Sequence, residues 1–182
     1  MKLVDKIVQA SDKPLGPKSR LVAIILPIFV FFGLFPTLFF LLPALVLDKW
    51  LNWPTFANVT IRVIAALALI APGVLFLLWT IKAQREIGKG TPMPLIATQK
   101  LVVQKPYSYC RNPLAFGLVN FYFGISIFIG SPSSVLLVFV FSAIILSYIK
   151  FIEEKELEQR YGNEYVEYKK RTPFIIPRLK SG

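Results

Sequence analysis

The apolar residues of this chain fall in long runs rather than in amphipathic stripes, and those runs set the plan of the molecule. Leu21 to Leu47 is a stretch of 27 residues without a charge, longer than the roughly 20 that an α-helix needs to cross a bilayer. It is too long for a signal-peptide core and has no small-residue cleavage site, so it reads as a retained first span. Pro27, Pro36 and Pro43 predict kinks in it or its division into shorter pieces. Trp50 and Trp53 follow it in the position of an interfacial aromatic belt. A second span is expected over about Val59 to Ile81, with Arg62 snorkelling toward the interface and a bend at Pro72-Gly73. Ala65, Ala66, Ala68 and Ala71 make it the most closely packable helix of the set.

Residues 82–112 are polar and carry glycines and prolines, which reads as a loop. The next apolar region, Leu114 to Ile149, exceeds one span, and Gly130-Ser131-Pro132-Ser133-Ser134 cuts it into a hairpin of two short helices. Good helix formers from Glu153 to Arg160 extend the last helix beyond the membrane. Gly162 is the expected stop, and Asn163 the cap of a short helix reaching about Lys170. Arg171-Thr172-Pro173 then ends helical structure. The expected fold class is therefore all-α: an integral membrane helical bundle of about four transmembrane helices with a cytosolic C-terminal helical extension. We read it as one membrane domain, with residues 1–20 an N-terminal segment, 21–81 two spans and 82–182 the functional core.

Charge adds orientation. Five basic residues precede the first span, six lie in residues 82–111 and eight in residues 150–180. The connection after span one has only Lys49 and the border residue Arg62, and the hairpin turn has none. The positive-inside rule then places both termini and the 82–112 loop in the cytosol. A multi-pass protein of a prokaryotic cytoplasmic membrane is expected. The formal charge of +11 sits between hydrophobic spans, where it answers to topology and anionic lipids rather than to nucleic acid.

The chain contains no histidine and one cysteine. Ser-His-Asp and Cys-His catalysis, histidine zinc sites and internal disulfides are thereby excluded. No metal is expected, and chemistry is left to carboxylates, tyrosines, arginines, backbone groups and a bound cofactor. Gly88-Lys89-Gly90-Thr91-Pro92 lacks the third glycine of a dinucleotide fingerprint and the lysine of a Walker loop. It reads as a turn, with a place at the border of a cytosolic pocket open to it.

Polar residues crowd both ends of the hairpin. Tyr107, Tyr109, Arg111 and Asn112 enter it before Pro113, and Glu153 and Glu154 leave it. A hairpin returns to the face it started from, so the two groups share the cytosolic side. Interfacial anchoring explains such tyrosines and arginines in any membrane protein, but not their company with two carboxylates. Glu153 and Glu154 diverge by about 100° on a helix, so one is free to face a pocket while the other meets Arg111, Lys150 or solvent. Helical spacing puts Ser142, Ile149 and Glu153 on one face, turning Glu153 toward the bundle. Gly117, Asn120 and Gly124 form a small and polar stripe, read as close helix packing or as a substrate channel. Leu157, Tyr161, Tyr165 and Tyr168 form another, read as a lid or a packing face. Packing is also the reading preferred for Cys110 over a reactive thiolate.

These residues occur in a recognisable order. Gly90-Thr91-Pro92-x-Pro94, Pro106-Tyr107-x-Tyr109-x-Arg111-Asn112-Pro113, Gly117, Glu153-Glu154, Tyr165-x-x-Tyr168-x-x-Arg171-Thr172-Pro173 and Ile176-Pro177 span roughly residues 88–178. The set resembles the isoprenylcysteine carboxyl methyltransferase and phospholipid methyltransferase superfamily of integral membrane enzymes. That resemblance implies S-adenosylmethionine bound at the cytosolic ends of the last helices and a lipophilic acceptor entering from the bilayer. It implies Tyr107, Tyr109, Arg111, Asn112, Pro113, Glu153 and Glu154 as cofactor contacts, with Arg111 and Glu153 as the catalytic candidates. Asn120, Tyr165, Tyr168 and Arg171 would border the substrate or close the pocket. Asn112 stands where many members have histidine, Lys105 where glycine is usual, and Phe174 where a basic residue is frequent.

Methyl transfer from a sulfonium needs no metal and depends largely on positioning. A carboxylate acceptor needs no general base, and a histidine-free site suits that. The expectation is carboxyl O-methylation of an isoprenylcysteine-like substrate. Phospholipid or amine N-methylation is the alternative, with a non-catalytic lipid-binding protein of the same fold as the rival from another class.

Overall fold

A computed structural model describes residues 29–30, 34–87 and 100–178. The Gly88–Pro92 turn, Pro27 and the N-terminal segment lie outside the described residues. Every regular element among those described is helical, and two helices are long and apolar enough to cross a membrane.

The first elements among the described residues are two wide turns, π1 (Thr37–Leu41) and π2 (Pro43–Leu47), and a short helical turn, α1 (Asp48–Trp50). Pro36 precedes π1 and Pro43 begins π2. Proline offers no N–H to the helical ladder and crowds the carbonyl four residues before it. The bonds that form here instead reach back five residues, from the Leu42 N–H to Thr37 O and from the Asp48 N–H to Pro43 O. Asn52, at φ 52°, closes α1. Its N–H donates to Lys49 O at 3.3 Å and that of Trp53 to Asp48 O at 2.8 Å, the paired bonds of a Schellman motif.

Asn58 caps the next helix, its Oδ1 accepting the Ile61 N–H at 2.9 Å. That helix, α2 (Val59–Glu86), runs on through Pro72 without interruption. The hairpin follows as α3 (Pro113–Ile129) and α4 (Pro132–Tyr148), broken where the sequence places the break. Gly130 there has φ 77°, and a Cβ on it would lie 2.5 Å from Arg62 Nη1. Arg62 does not simply snorkel: its Nη1 donates to Phe128 O at 3.1 Å and Ile129 O at 2.7 Å. It thus supplies a cation and donors to the open carbonyl end of α3.

The last long helix continues from α4 through π3 (Ile149–Glu153) into α5 (Glu154–Tyr161), 30 apolar-then-charged residues in all. Gly162, at φ 55°, stops it. It is Gly162, not Asn163, that occupies the cap of α6 (Asn163–Arg171), and no side chain caps that end.

Contacts group the residues into two compact units. One comprises Gly73–Leu118 and the chain from Ile144 onward; the other runs to Pro72 and resumes over Val119–Ala143. Within the latter, Phe35, Phe39, Phe40, Tyr122 and Phe141 form an aromatic core, Phe39 and Phe141 lying 4.8 Å apart. The Ser134 hydroxyl donates to Phe39 O at 2.5 Å and that of Ser126 to Tyr122 O at 3.0 Å, satisfying groups that have no water partner in an apolar interior. The small-residue stripe packs tightly in each unit. A Cβ on Gly117 would meet Gly73 O at 2.8 Å, and one on Gly124 would meet Ile70 Cγ1 at 2.5 Å and Ala66 O at 3.1 Å.

Candidate functional site

The site is built on a change of helical register. Across π3 the Glu154 N–H reaches Ile149 O, five residues back rather than four. One residue is thereby inserted into the turn, and every later side chain is rotated by about 100°. Regular spacing from Ile149 selects Glu153 for the inward face; the structure gives that place to Glu154, which is 2% exposed, while Glu153 is only half-buried.

Glu154 is fully engaged. Its Oε1 accepts Arg111 Nε at 2.9 Å and Nη2 at 2.8 Å, and its Oε2 meets Lys169 Nζ at 2.8 Å. Arg111 Nη1 donates to Lys169 O at 2.8 Å and Thr172 O at 2.6 Å, and the guanidinium lies 5.8 Å from the Phe174 ring centre. Hydrogen bonding to Glu154 raises the Lys169 pKa above the usual lysine range, against the pull of burial. Arg111 thus has nearly all its donors committed to α5, α6 and the chain beyond.

A strap completes this cluster. The Arg111 N–H donates to Pro173 O at 2.8 Å, and the Arg178 N–H to Tyr109 O at 2.9 Å. Asn112 Nδ2 donates to Phe174 O at 2.9 Å and the Tyr168 hydroxyl to Tyr107 O at 2.7 Å. The residues before Pro113 are therefore sewn to the segment after α6. Pro113 itself is buried at the start of α3, where a missing N–H costs nothing.

Glu153 differs from its neighbour. It has no hydrogen bond or ion pair with any described residue. It lies near enough to Tyr107 for its charge to reinforce the rise in that hydroxyl's pKa, which burial drives and hydrogen bonding to Gln84 opposes. Gln84 Nε2 and the Tyr107 hydroxyl are hydrogen-bonded. Gln84 Oε1, Thr80 Oγ1 and Ser108 Oγ are buried with no partner among the described residues. Orphaned buried polar atoms of this kind call for a bound molecule or water. Sequence reasoning missed Thr80 and Gln84; the signal was a polar pair spaced by four near the end of an otherwise apolar span.

The remaining candidates fall elsewhere. Tyr109 packs against Trp79, 5.8 Å between ring centres. Tyr165 and Tyr168 are 2% and 7% exposed and packed edge-on, and so belong to a packing face. Burial pushes both hydroxyls well above the usual tyrosine range. Arg171 is exposed, its Nε on Glu167 O of its own helix at 3.3 Å. Asn120 belongs to the other unit. Cys110 is fully buried, and burial pushes its thiol up to about 11, a backbone hydrogen bond at Asn112 opposing; it is not a nucleophile near neutral pH.

Two apolar helices of membrane length, together with buried polar atoms that have no partner among the described residues, mark a membrane protein with hydrogen-bonding capacity left open. The family model described as phospholipid methyltransferase matches residues 61–164, more than half of the chain, and the chain belongs to that family of membrane methyltransferases. The matched region contains Thr80, Gln84, Tyr107, Arg111, Glu153 and Glu154, and the strap lies beyond it. No curated protein and no solved structure matches the chain.

Proposed function

We propose that this protein transfers a methyl group from S-adenosylmethionine to a lipid acceptor, at a site around Glu153, Tyr107 and Gln84. The observation that carries this reading is the unengaged Glu153 carboxylate beside buried, unpartnered polar atoms, within the family-matched region. When bound, the cofactor supplies an electrophilic methyl group on a sulfonium. Among this chain's residues, Glu153 suits its ammonium or ribose hydroxyls, and Gln84 Oε1, Thr80 and Ser108 offer neutral hydrogen-bonding partners. Tyr107 stays protonated and keeps a donor available. Arg111 and Glu154 act as positioning residues that hold the Tyr107–Asn112 loop against the strap. The four-span topology with cytosolic termini is part of this proposal, since it opens the site to a soluble cofactor and a bilayer acceptor together.

An amine-headed phospholipid is the acceptor this reading favours. The family description points there, and an uncompensated carboxylate attracts cations and repels a carboxylate acceptor. An amine must shed a proton, and the Glu153 oxygens are free to take it. Carboxyl O-methylation is the second reading, favoured by the absence of histidine, because it needs no base. Purified protein incubated with methyl-labelled cofactor is offered an amine-headed phospholipid or a prenylated cysteine. Label in the phospholipid is expected, and label in the prenylated cysteine alone would reverse the order of the two. Calorimetry that finds no cofactor binding by folded protein would sink both.

A further inference from the structure

The unit that contains Asp48 holds a half-open cavity of about 530 Å³. Asp48, Lys49, Asn52, Trp53, Thr55 and Ser131 are among its lining residues. Nothing in the methyl-transfer proposal uses them. The Schellman turn at Asn52 folds the chain back so that Trp53 hydrogen-bonds over Asp48. A bond from the Phe56 N–H to Gly130 O, 3.3 Å long, ties this loop to the hairpin turn.

Asp48 is only 8% exposed. Its Oδ1 accepts the Ser133 N–H at 3.0 Å, capping the N-terminal end of α4. Its second oxygen has no hydrogen bond or ion pair with any described residue. A carboxylate removed from water is costly unless its charge is met, and the helix end meets it only in part. The cavity is where the rest of that compensation has room to sit. A metal ion is a poor fit, since no group of three metal-ligating side chains exists among the described residues and Lys49 lines the same space. A carboxylate, an indole and a lysine lining one cavity fit a different ligand. The carboxylate and indole attract an ammonium group, and the lysine attracts a phosphate next to it.

We propose that this cavity seats the ammonium–phosphate headgroup of a zwitterionic phospholipid, as a lipid site separate from methyl transfer. The exposed Trp53 that lines it, with the exposed Trp50 three residues earlier in the chain, favours a lipid over a soluble source, because such rings settle at headgroup depth. The geometry separates structure from binding. Asp48→Asn keeps an oxygen on the Ser133 N–H and removes the charge.

The full chain in detergent is titrated with a short-chain phosphoethanolamine lipid, its phosphoglycerol counterpart and soluble phosphoethanolamine, with binding read by native mass spectrometry. Saturable binding of the first is expected, with a loss of roughly tenfold or more in Asp48→Asn, as for a charged hydrogen bond. Trp53→Leu, at a side chain 42% exposed, should weaken it as well, and repeats the test without touching the cap should Asp48→Asn not fold. Equal affinity for the phosphoglycerol lipid, or no change in either variant, overturns the proposal. Equal affinity for soluble phosphoethanolamine overturns its lipid assignment. Loss of binding in Glu153→Gln, with Asp48→Asn unaffected, also overturns it, by placing the headgroup at the methyl-transfer site. Cofactor calorimetry on the same Asp48→Asn sample should be unchanged, so failure here and failure of the methyltransferase reading are distinguishable.

Discussion

Among the described residues two carboxylates are buried, one in each compact unit, and their burial is met in opposite ways. Glu154 has both oxygens engaged by Arg111 and Lys169. Asp48 has one oxygen on a backbone N–H and a second without a partner among the described residues, and the residue lines a cavity. The first arrangement is closed and holds the chain together; the second is open and leaves charge to attract something else. Glu153, next to Glu154 in sequence, is of the open kind. Burial alone does not distinguish a structural acid from a functional one; the number of donors already committed to it does.

The largest effect should come from breaking the closed pair. Glu154→Gln leaves the Arg111 guanidinium buried against a neutral partner and should cost about 3–5 kcal/mol of stability, read as denaturant unfolding in detergent. Asp48→Asn should cost far less, and an equal cost would erase the distinction between the two acids. Glu153→Gln should leave stability unchanged and weaken cofactor binding by about 1.5–3 kcal/mol. Glu158→Gln, beside the half-exposed Lys169 ammonium, should do little in that calorimetry. Matching losses in both variants would make Glu153 an ordinary surface charge. Asn112→Ala removes one bond of the strap and should cost about 1 kcal/mol, with the cofactor affinity following only through looser positioning. The smallest signal is an absence: Cys110 should resist alkylation in the folded protein near neutral pH and react once it is unfolded. Rapid labelling of the native state would show that the closed cluster opens.

Much of this was readable from the residues themselves. Runs of apolar residues located the hairpin and its break at Gly130, and Gly162 announced the end of the long helix. Membership of the methyltransferase family was legible from the ordered motif between Gly90 and Pro177. Which glutamate faces inward was not, because spacing rules assume a constant helical repeat and Ile149–Glu153 departs from it. Arg62 and Asp48 were opaque for another reason. Their partners, at Phe128–Ile129 and at Ser133, are brought to them by tertiary folding, and nothing local marks such pairs. Arg111 carried the right residue type for a ligand contact, yet its donors are committed to Glu154 and to carbonyls of residues 169 and 172.

The wide turn at Ile149–Glu153 bears on how relatives of this protein are to be compared. A relative of the same length that kept the ordinary repeat there would exchange the duties of the two acids, with no change in the letters that flank them. Equivalence between family members at this pair is thus a matter of angular position around the helix, and a column-by-column correspondence of sequences can assign the ligand-facing role to the wrong glutamate.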